Sequence, residues 1–599
     1  MIKLADYVVR YLEDLGVRDL FTVSGGGSIF LCDAVARSKR MNYYACHHEQ
    51  AASMATEAYA RIKNDLAVTL VTTGPGGTNA ITGTAGSWMD SVPHLTLSGQ
   101  AFLNQTIGNS GLRQLGVQEL NIIDLVKPIT KYAVMVEDAK TIKYHLEKAI
   151  YLAKSGRPGP VWLDIPANIQ NAQIDEATLV GFSPSEIKIE YEKDLSGKVA
   201  QVVELLKSAK RPLLHVGQGV KLAGAAKEFM TFVEEHGLPF VTARNANDMV
   251  ASDHKLFAGR PGTFAQRGAN FALQNADFYL AIGTRLSLPQ TGYNVEDFAK
   301  HATRIMVDID KTELDKKTLK MDVKIHIDAK SFLAELNRQM SKVSIKVPDW
   351  IEQCQAWRAK YPVVLPEYKN QKGSINSYYF TEVLSDVLTP EDVIVTDMGI
   401  AFQGTHQAWK VKAGQRLFTN CGLAAMGWGL PAAVGACVAN GKKRTVCISG
   451  DGGLLMNIQE LATVMHHKLP IKLFILNNGG YMTIKQTQEL GFEGRLMGAN
   501  EESGLSFPDF LKVGEAHGIK SVRLSSHDDL KKRIQEVIDY KGPVVCEIMM
   551  DPNQDQGPKA VNRRKPDGTT QQTLLEDLYP FLDAKEIAEN MIATKKNKE

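Results

Sequence analysis

The sequence predicts an α/β protein built from three doubly wound parallel-sheet domains with a polar C-terminal tail. Three observations carry that prediction. At 599 residues the chain is too long for one hydrophobic core. Short apolar runs alternate with segments of helical period almost throughout, as in parallel sheets covered by helices on both faces. Polar, strand-poor stretches near 170–198 and 342–372 divide this alternation into three sets of similar size. Residues 1–175, 190–340 and 370–552 are thereby assigned to three domains and 553–599 to a tail or lid.

The first set opens with MIKLADYVVRYLEDLGV, whose apolar spacing near 3.6 reads as an amphipathic helix and not a signal peptide. Strands follow at FTVSG, NYYAC, AVTLVTTG, HLTLSG and VWLDIP. Between the second and third of these lies HHEQAASMATEAYAR, an alanine-rich helix expected to be buried, with Glu49 at its start. A buried carboxylate is costly unless a partner takes its charge or its proton, so Glu49 needs a neighbour. The second set reads LLHVGQG, FVTA, FYLAIGT, RIMVDID and VKIHID; the third reads DVIVTD, RTVCISGDGG, IKLFILNNGG and PVVCEIMM. Two segments break the pattern, the Gly-rich 484–506 and the apolar-poor 551–573; runs of this kind are expected to be lids or disordered tails. The terminal ATKKNKE reads as a frayed end.

The bulk properties exclude several classes of function. Lys and Arg total 69 against 67 for Asp and Glu, which leaves no basic field for nucleic acid or a membrane surface. The seven cysteines form no CxxC pair, so neither a zinc site nor a disulfide framework is indicated. No stretch of about 18 apolar residues occurs. The expectation is a cytoplasmic protein.

The most informative element is Gly450-Asp451-Gly452, followed after 24 residues by Asn477-Asn478. The first motif ends the strand TVCIS and the second ends IKLFIL, with the helix-like LLMNIQELATVMHH between them. In a right-handed βαβ unit both motifs reach the carboxyl edge of the sheet, where ligands bind. One carboxylate, one carboxamide and a backbone carbonyl suit a hard ion such as Mg²⁺ that keeps other positions for phosphate and water. Gly452 and Gly453 would let backbone N–H groups approach a diphosphate. GDG alone would mostly be a strand-end turn with a capping Asp; the paired asparagine at this spacing is what favours the metal.

The GDG-x24-NN signature resembles that of thiamine-diphosphate enzymes, and HHEQAA resembles the glutamate motif of the acetolactate (acetohydroxyacid) synthases. TTGPGGTNAITG at 72–83, DSVPHLTLSGQ at 90–100 and GLAAMGWGLPAAVGA at 422–436 extend the resemblance across residues 1 to about 550. It implies pyrimidine-binding, central and diphosphate-binding domains in that order. It also implies that Glu49 hydrogen-bonds N1′ of the cofactor's pyrimidine, promoting the imino form whose 4′-nitrogen takes the proton from thiazolium C2. Ala424 would offer its carbonyl to the 4′-amino group, and Met426 would wedge between the two rings. Gly26, within Gly25–Gly27, and Gln118 would lie near the reacting centre. Pro75, Asn79, His406, Gly450, Gly452 and Gly453 are expected among the cofactor contacts, and Asp451, Asn478 and Gly480 among the Mg²⁺ ligands. Because this family builds each site from two subunits, at least a homodimer is implied.

The chain departs from the acetolactate synthase pattern in the acceptor pocket. Val117 stands where that family has phenylalanine, Thr487 replaces its tryptophan while Gln486 is kept, and Pro289 replaces a second arginine beside Arg285. The resemblance extends to structural FAD in the central domain, with Arg285, Asp308 and Asp310 in comparable places. Lys559, Arg563, Arg564 and Lys565 add four cations to the tail, a charge run open to solvation or to meeting phosphate. The pattern resembles the branch of the family whose acceptor is a nucleotide-linked keto sugar. The expected activity is decarboxylation of a 2-oxo acid such as pyruvate, with transfer of the two-carbon unit to a carbonyl acceptor. Acetolactate synthesis proper and simple decarboxylation are the alternatives. A nicotinamide oxidoreductase lacks its strand–GxGxxG–helix unit here, and a silent cofactor-binding subunit would lack Glu49.

Overall fold

The computed structural model describes residues 1–564 and 567–593. Three six-stranded sheets are present, and every pairing within them is parallel. In the first, strands Asn42–Ala45, Asp19–Thr22, Ala67–Val71, His94–Gln100, Val161–Pro166 and Tyr132–Met135 lie side by side in that order. The second runs Phe257–Gly259, Phe240–Thr242, Pro212–Val216, Phe278–Ile282, Thr303–Asp308, Val323–His326. The third runs Arg416–Phe418, Val393–Thr396, Thr445–Gly450, Ile471–Asn477, Val544–Met549, Lys520–Leu524. Their central strands are buried from end to end, as the near-continuous Val, Ile and Leu runs require when helices cover both faces.

Each sheet has one topological switch point, between its first and third strands in chain order or the equivalent pair. In the first sheet this lies between Asp19–Thr22 and Ala67–Val71, in the second between Pro212–Val216 and Phe278–Ile282, and in the third between Val393–Thr396 and Thr445–Gly450. The crevice beyond the carboxyl ends of such strand pairs is where open α/β sheets accept ligands. The segments that leave these strands are Gly25–Gly27 with Thr72–Pro75, Gly217 with Gly283–Arg285, and Asp397 with Asp451.

The Glu49–Lys63 helix joins the two terminal domains. Its buried Ala51, Ala52, Ala55, Ala58 and Ala60 let other helices approach its backbone closely. A Cβ added to Gly435, on the Gly429–Ala439 helix, would lie 1.9 Å from the carbonyl oxygen of Ala55. On the opposite side a Cβ at Gly83, in the Pro75–Met89 helix, would strike Ser53 at 2.4 Å. One hydrophobic cluster therefore runs from Phe21, Tyr44 and Ala55 into Leu430, Val434 and Ile475.

Two expectations are corrected. The stretch near 342–372 is no loose connector: Pro348–Lys360 is a helix whose Trp350, Cys354 and Trp357, spaced four and three apart, enter the central-domain core. The region after residue 552 is not a free tail over the described range. It packs along the central domain, where Ala560 N–H donates to the Thr263 carbonyl at 2.7 Å and Asn270 Nδ2 to that of Leu575 at 2.7 Å. Trp357 Nε1 donates to Asn590 Oδ1 at 2.8 Å. Leu575 and Met591 complete the core beside Trp357, and Asn562–Arg564 pairs with Thr570–Gln572 as an antiparallel hairpin. Residues 594–599, expected to fray, lie outside the described residues. No helix among the described residues is long and apolar enough to cross a membrane.

Candidate active site

At the switch point of the first sheet the predicted residues converge. Glu49 opens its helix just after the N-cap His48, whose Nδ1 accepts the Gln50 N–H at 3.1 Å. The Glu49 carboxylate is buried, and Asn79 Nδ2 donates to its Oε2 at 2.9 Å. This is the neighbour that the sequence called for. Asn79 is one turn into the Pro75–Met89 helix, which Pro75 begins at the position where proline costs no hydrogen bond. Gly74 precedes it with φ +59°, and a Cβ there would lie 2.4 Å from the Gln118 carbonyl oxygen, so only glycine serves. Thr73 Oγ1 lies 3.2 Å from that oxygen and donates to Gln100 Oε1 at 2.7 Å. Thr72 Oγ1 accepts the Gly27 N–H at 3.0 Å, which ties the triglycine turn to the same edge. Gly26 itself has open space where a side chain would stand. Thr72 and Thr73 organise this cluster; the sequence shows them only as the end of a strand and the start of the TTGPGG motif.

The third sheet assembles the second cluster. Asp451 is buried at the end of Thr445–Gly450; its Oδ2 accepts backbone N–H groups of Asn478 at 3.0 Å, Gly479 at 2.8 Å and Gly480 at 3.2 Å. Burial pushes its pKa up to about 6 against the opposing effect of these bonds. A divalent cation would supply the charge that this site lacks. Asp451 with the Asn478 carboxamide and the Gly480 carbonyl fits a hard ion, and among the described residues no group of three or more His, Cys, Asp or Glu offers a softer or richer alternative. The glycines beside Asp451 have local causes as well. A Cβ at Gly452 would meet the Tyr481 ring at 2.1 Å, and one at Gly453 would meet Asp397 Oδ2 at 2.8 Å. Gly450 faces open space. The predicted single helix after this motif is divided into Asp451–Leu455 and Glu460–His466, with Asn457 turned inward to donate to the Gly427 carbonyl at 2.8 Å.

The loop carrying Ala424 and Met426 lies beside this second cluster. Asp397 Oδ1 accepts the Gly427 N–H at 3.1 Å, and its Oδ2 accepts Ser449 Oγ at 2.8 Å. Ala424 is exposed with φ +61°, and Met426 is half-buried. Asp397, Asn420, Asn457 and Tyr481 are further site residues that no sequence motif singled out. The two clusters are bridged at their margins: Asn457 Nδ2 donates to Gln50 Oε1 at 3.3 Å, and Glu460 Oε1 accepts the His47 N–H at 3.0 Å.

Two predicted residues stand apart. His406 is turned toward the central domain on the Ile400–Ala408 helix, its Nδ1 2.9 Å from Asn247 Nδ2 and its Nε2 3.2 Å from Thr396 Oγ1. Burial lowers its pKa to about 3, so the ring is neutral where it bridges the two domains. Arg285 lines a cavity of about 530 Å³ at the second sheet's switch point, with Gly283, Thr284, Asp308 and Asn245. There it donates to the Met89 carbonyl at 3.1 Å. Thr284 Oγ1 and Asn245 Oδ1 are buried in its walls without a partner, which suits an extended polar ligand such as FAD. Asp310 is instead taken by Arg157 at 2.9 Å. Of the tail cations, Lys559 Nζ donates to Gln486 Oε1 at 3.0 Å. Arg563 lies 3.7 Å over the Phe581 ring and 3.5 Å from Asp577. Lys565 lies outside the described residues.

Comparison with known proteins agrees with this geometry. Residues 2–124 match the family model for the N-terminal TPP binding domain of thiamine pyrophosphate enzymes (thiamine pyrophosphate being thiamine diphosphate), 199–336 the central domain, and 397–548 the C-terminal TPP binding domain. The acetolactate synthase isozyme 3 large subunit of Escherichia coli is 30% identical over 551 residues, covering 90% of this chain and 92% of that protein. Acetolactate synthase 1 of Zea mays is 32% identical over 563 residues (92% of this chain, 86% of the relative). The Lactococcus lactis large subunit is 31% identical over 548 residues, covering 91% and 92%. With its glutamate cluster on one switch point and its Asp–Asn cluster on another, the chain belongs to the thiamine pyrophosphate enzymes and is an acetolactate-synthase-like member of that family.

Proposed function

We propose that the protein is a carboligase that decarboxylates a 2-oxo acid, pyruvate in the first instance, and transfers the two-carbon unit to a carbonyl acceptor. The observation that carries this reading is Glu49, buried and held by Asn79 at the carboxyl edge of the pyrimidine-type domain. When bound, thiamine diphosphate supplies the stabilised carbanion equivalent that such chemistry needs. The chain's own residues do the rest. Glu49 presents its carboxyl at the start of a rigid helix, and Asn79 orients that carboxyl by donating to Oε2. Asp451, Asn478 and Gly480 would hold Mg²⁺, and Asp397 and Asn457 clamp the loop that presents Ala424 and Met426.

The acceptor in this reading is larger than a second 2-oxo acid, and a nucleotide-linked keto sugar is the leading class. Support comes from Val117, which is 88% exposed, and from Thr487, exposed on the Met482–Gly491 helix, where acetolactate synthases carry aromatic rings. Acetolactate formation from two 2-oxo acids is the second reading, favoured by the family relationship. FAD in the central cavity and assembly as a homodimer or tetramer belong to the same proposal. Incubation with pyruvate plus candidate acceptors, followed by mass spectrometry, decides between the readings. Acetolactate as the sole product with every acceptor would remove the sugar reading, and free acetaldehyde alone would reduce the protein to a decarboxylase.

A further inference from the structure

The helix that begins with Glu49 carries a second buried carboxylate, Glu57, which the chemistry above leaves unused. Its side chain is wholly buried. Oε1 accepts from Arg61 Nε at 3.1 Å and NH2 at 2.6 Å, and Arg61 also reaches Asp90 Oδ2 at 2.6 Å. Oε2 points the other way and accepts from Asn420 Nδ2 at 2.9 Å and from Trp428 Nε1 at 2.9 Å. Asn420, also buried, turns its Oδ1 onto the N–H groups of Leu423 and Ala424, each at 3.2 Å. Gly86 makes room for this relay, since a Cβ there would lie 2.2 Å from Asn420 Nδ2 and 2.8 Å from Glu57 Oε2. At its end stands Ala424, a non-glycine residue in left-handed backbone, a conformation that persists only where its surroundings impose it. Leu423 and Ala424 are exposed at the tip of the loop, while Trp428 at its root is fully buried.

We propose that Glu57 is a positioning residue for cofactor binding: acting through Asn420, it fixes the left-handed Ala424 and thereby the loop that would meet the aminopyrimidine ring. This rests on the reading of Ala424 and Met426 given above. The direction of the relay follows from chemistry. A carboxylate can only accept, so Glu57 forces the Asn420 amide nitrogen toward itself and the amide oxygen toward the loop. A glutamine at 57, kept in register with Arg61, would present its own N–H group to Asn420 and Trp428. Asn420 would then flip and turn its amide nitrogen on the Leu423 N–H and on the Ala424 N–H, which would keep only the Asn420 backbone carbonyl at 3.0 Å. Glu49 and Glu57 lie eight residues apart, about 12 Å along one helix. The same rigid rod thus holds the acid of one cluster and the anchor of the loop beside the other.

The test is isothermal titration of thiamine diphosphate, with Mg²⁺, into wild type, Asn420→Ala, Glu57→Gln and the double variant, with melting points measured in parallel. Asn420→Ala should weaken binding by about tenfold, the effect of one or two net hydrogen bonds, while its melting point stays close to wild type. Glu57→Gln should weaken binding comparably, and the double variant should be no worse than the weaker-binding single one, because both act through one chain of bonds. Should Glu57→Gln fail to fold, Asn420→Ala decides alone. Wild-type affinity in Asn420→Ala, or losses that add in the double variant, would overturn the inference and leave the network as scaffolding. Failure of the wild type itself to bind thiamine diphosphate would overturn the functional reading together with this one.

Discussion

At the scale of single residues, Glu49 shows how an isolated position acquires a role. Its helix is lined with alanine and closely packed on two sides, so its carboxylate is removed from water with one side-chain partner, the Asn79 amide. An amide donor orients the carboxyl without exchanging a proton with it. Glu49→Gln keeps the shape and can still accept from Asn79 but has no proton to transfer. The expected outcome is retained cofactor binding with a loss of turnover of about 10²–10⁴-fold, the usual effect of removing a positioned acid or base. Steady-state decarboxylation of pyruvate, measured beside cofactor affinity, checks this; wild-type turnover in the variant would reject the assignment. His406 teaches the converse lesson. Its neighbourhood in sequence suggested a cofactor contact, but one helix face turned it into the interface with the central domain.

At the scale of elements, the strands of the three six-stranded sheets that sequence patterning missed are Tyr132–Met135, Phe257–Gly259, Arg416–Phe418 and Lys520–Leu524, and each is an edge strand. Three of them are only partly covered, and Phe257–Gly259, though buried, is three residues long, so their apolar signal is weak compared with the buried runs at the centre of each sheet. The region after 552 was hidden for a related reason. Its few apolar residues, such as Leu575 and Met591, are spread over a polar sequence but all reach one core. Leu575→Ala should therefore cost about 2–5 kcal/mol, as other buried leucines do, whereas a solvated tail would tolerate it within about 0.5 kcal/mol. Denaturant unfolding of the central domain distinguishes the two.

The sheet beneath the Glu49 cluster also contains a titrating element. Asp164 is buried beside Ser98 and Gln100, and burial pushes its carboxyl up to about 7 against their hydrogen bonds. Since the folded value is raised, the stability it contributes is complete below about pH 4 and disappears as pH rises through about 7. Melting points of wild type should thus fall between pH 5 and pH 8 relative to those of Asp164→Asn. Parallel profiles for the two proteins would show that Asp164 does not titrate in this way.

At the scale of the whole molecule, one chain repeats one rule three times: a parallel sheet, a switch point, and a ligand-type crevice at its carboxyl edge. The Glu49 and Asp451 crevices open from the switch points of two different sheets, the arrangement required if each complete site takes one crevice from either subunit. Coexpression of Glu49→Gln with Asp451→Ala, each inactive alone, should then restore activity, because a mixed dimer contains one site with both groups intact. Mixed preparations as inactive as their parents would place both groups of a site on a single chain.

By itself the sequence determined the three-domain α/β architecture, the Glu49 and GDG–NN motifs and the class of cofactor. Those features are local: strand runs buried on both faces, glycines that a backbone needs, and ligands carried at strand ends by a βαβ unit. The tertiary structure alone decided that Asn79 holds Glu49, that Asp397, Asn420 and Asn457 shape the loop around Ala424, that His406 faces the central domain, and that the polar tail is part of the central core. Each of these is a contact between residues far apart in the chain, Glu57 and Asn420 among them, whose partner is set by how helices close over a sheet and not by any spacing along the sequence.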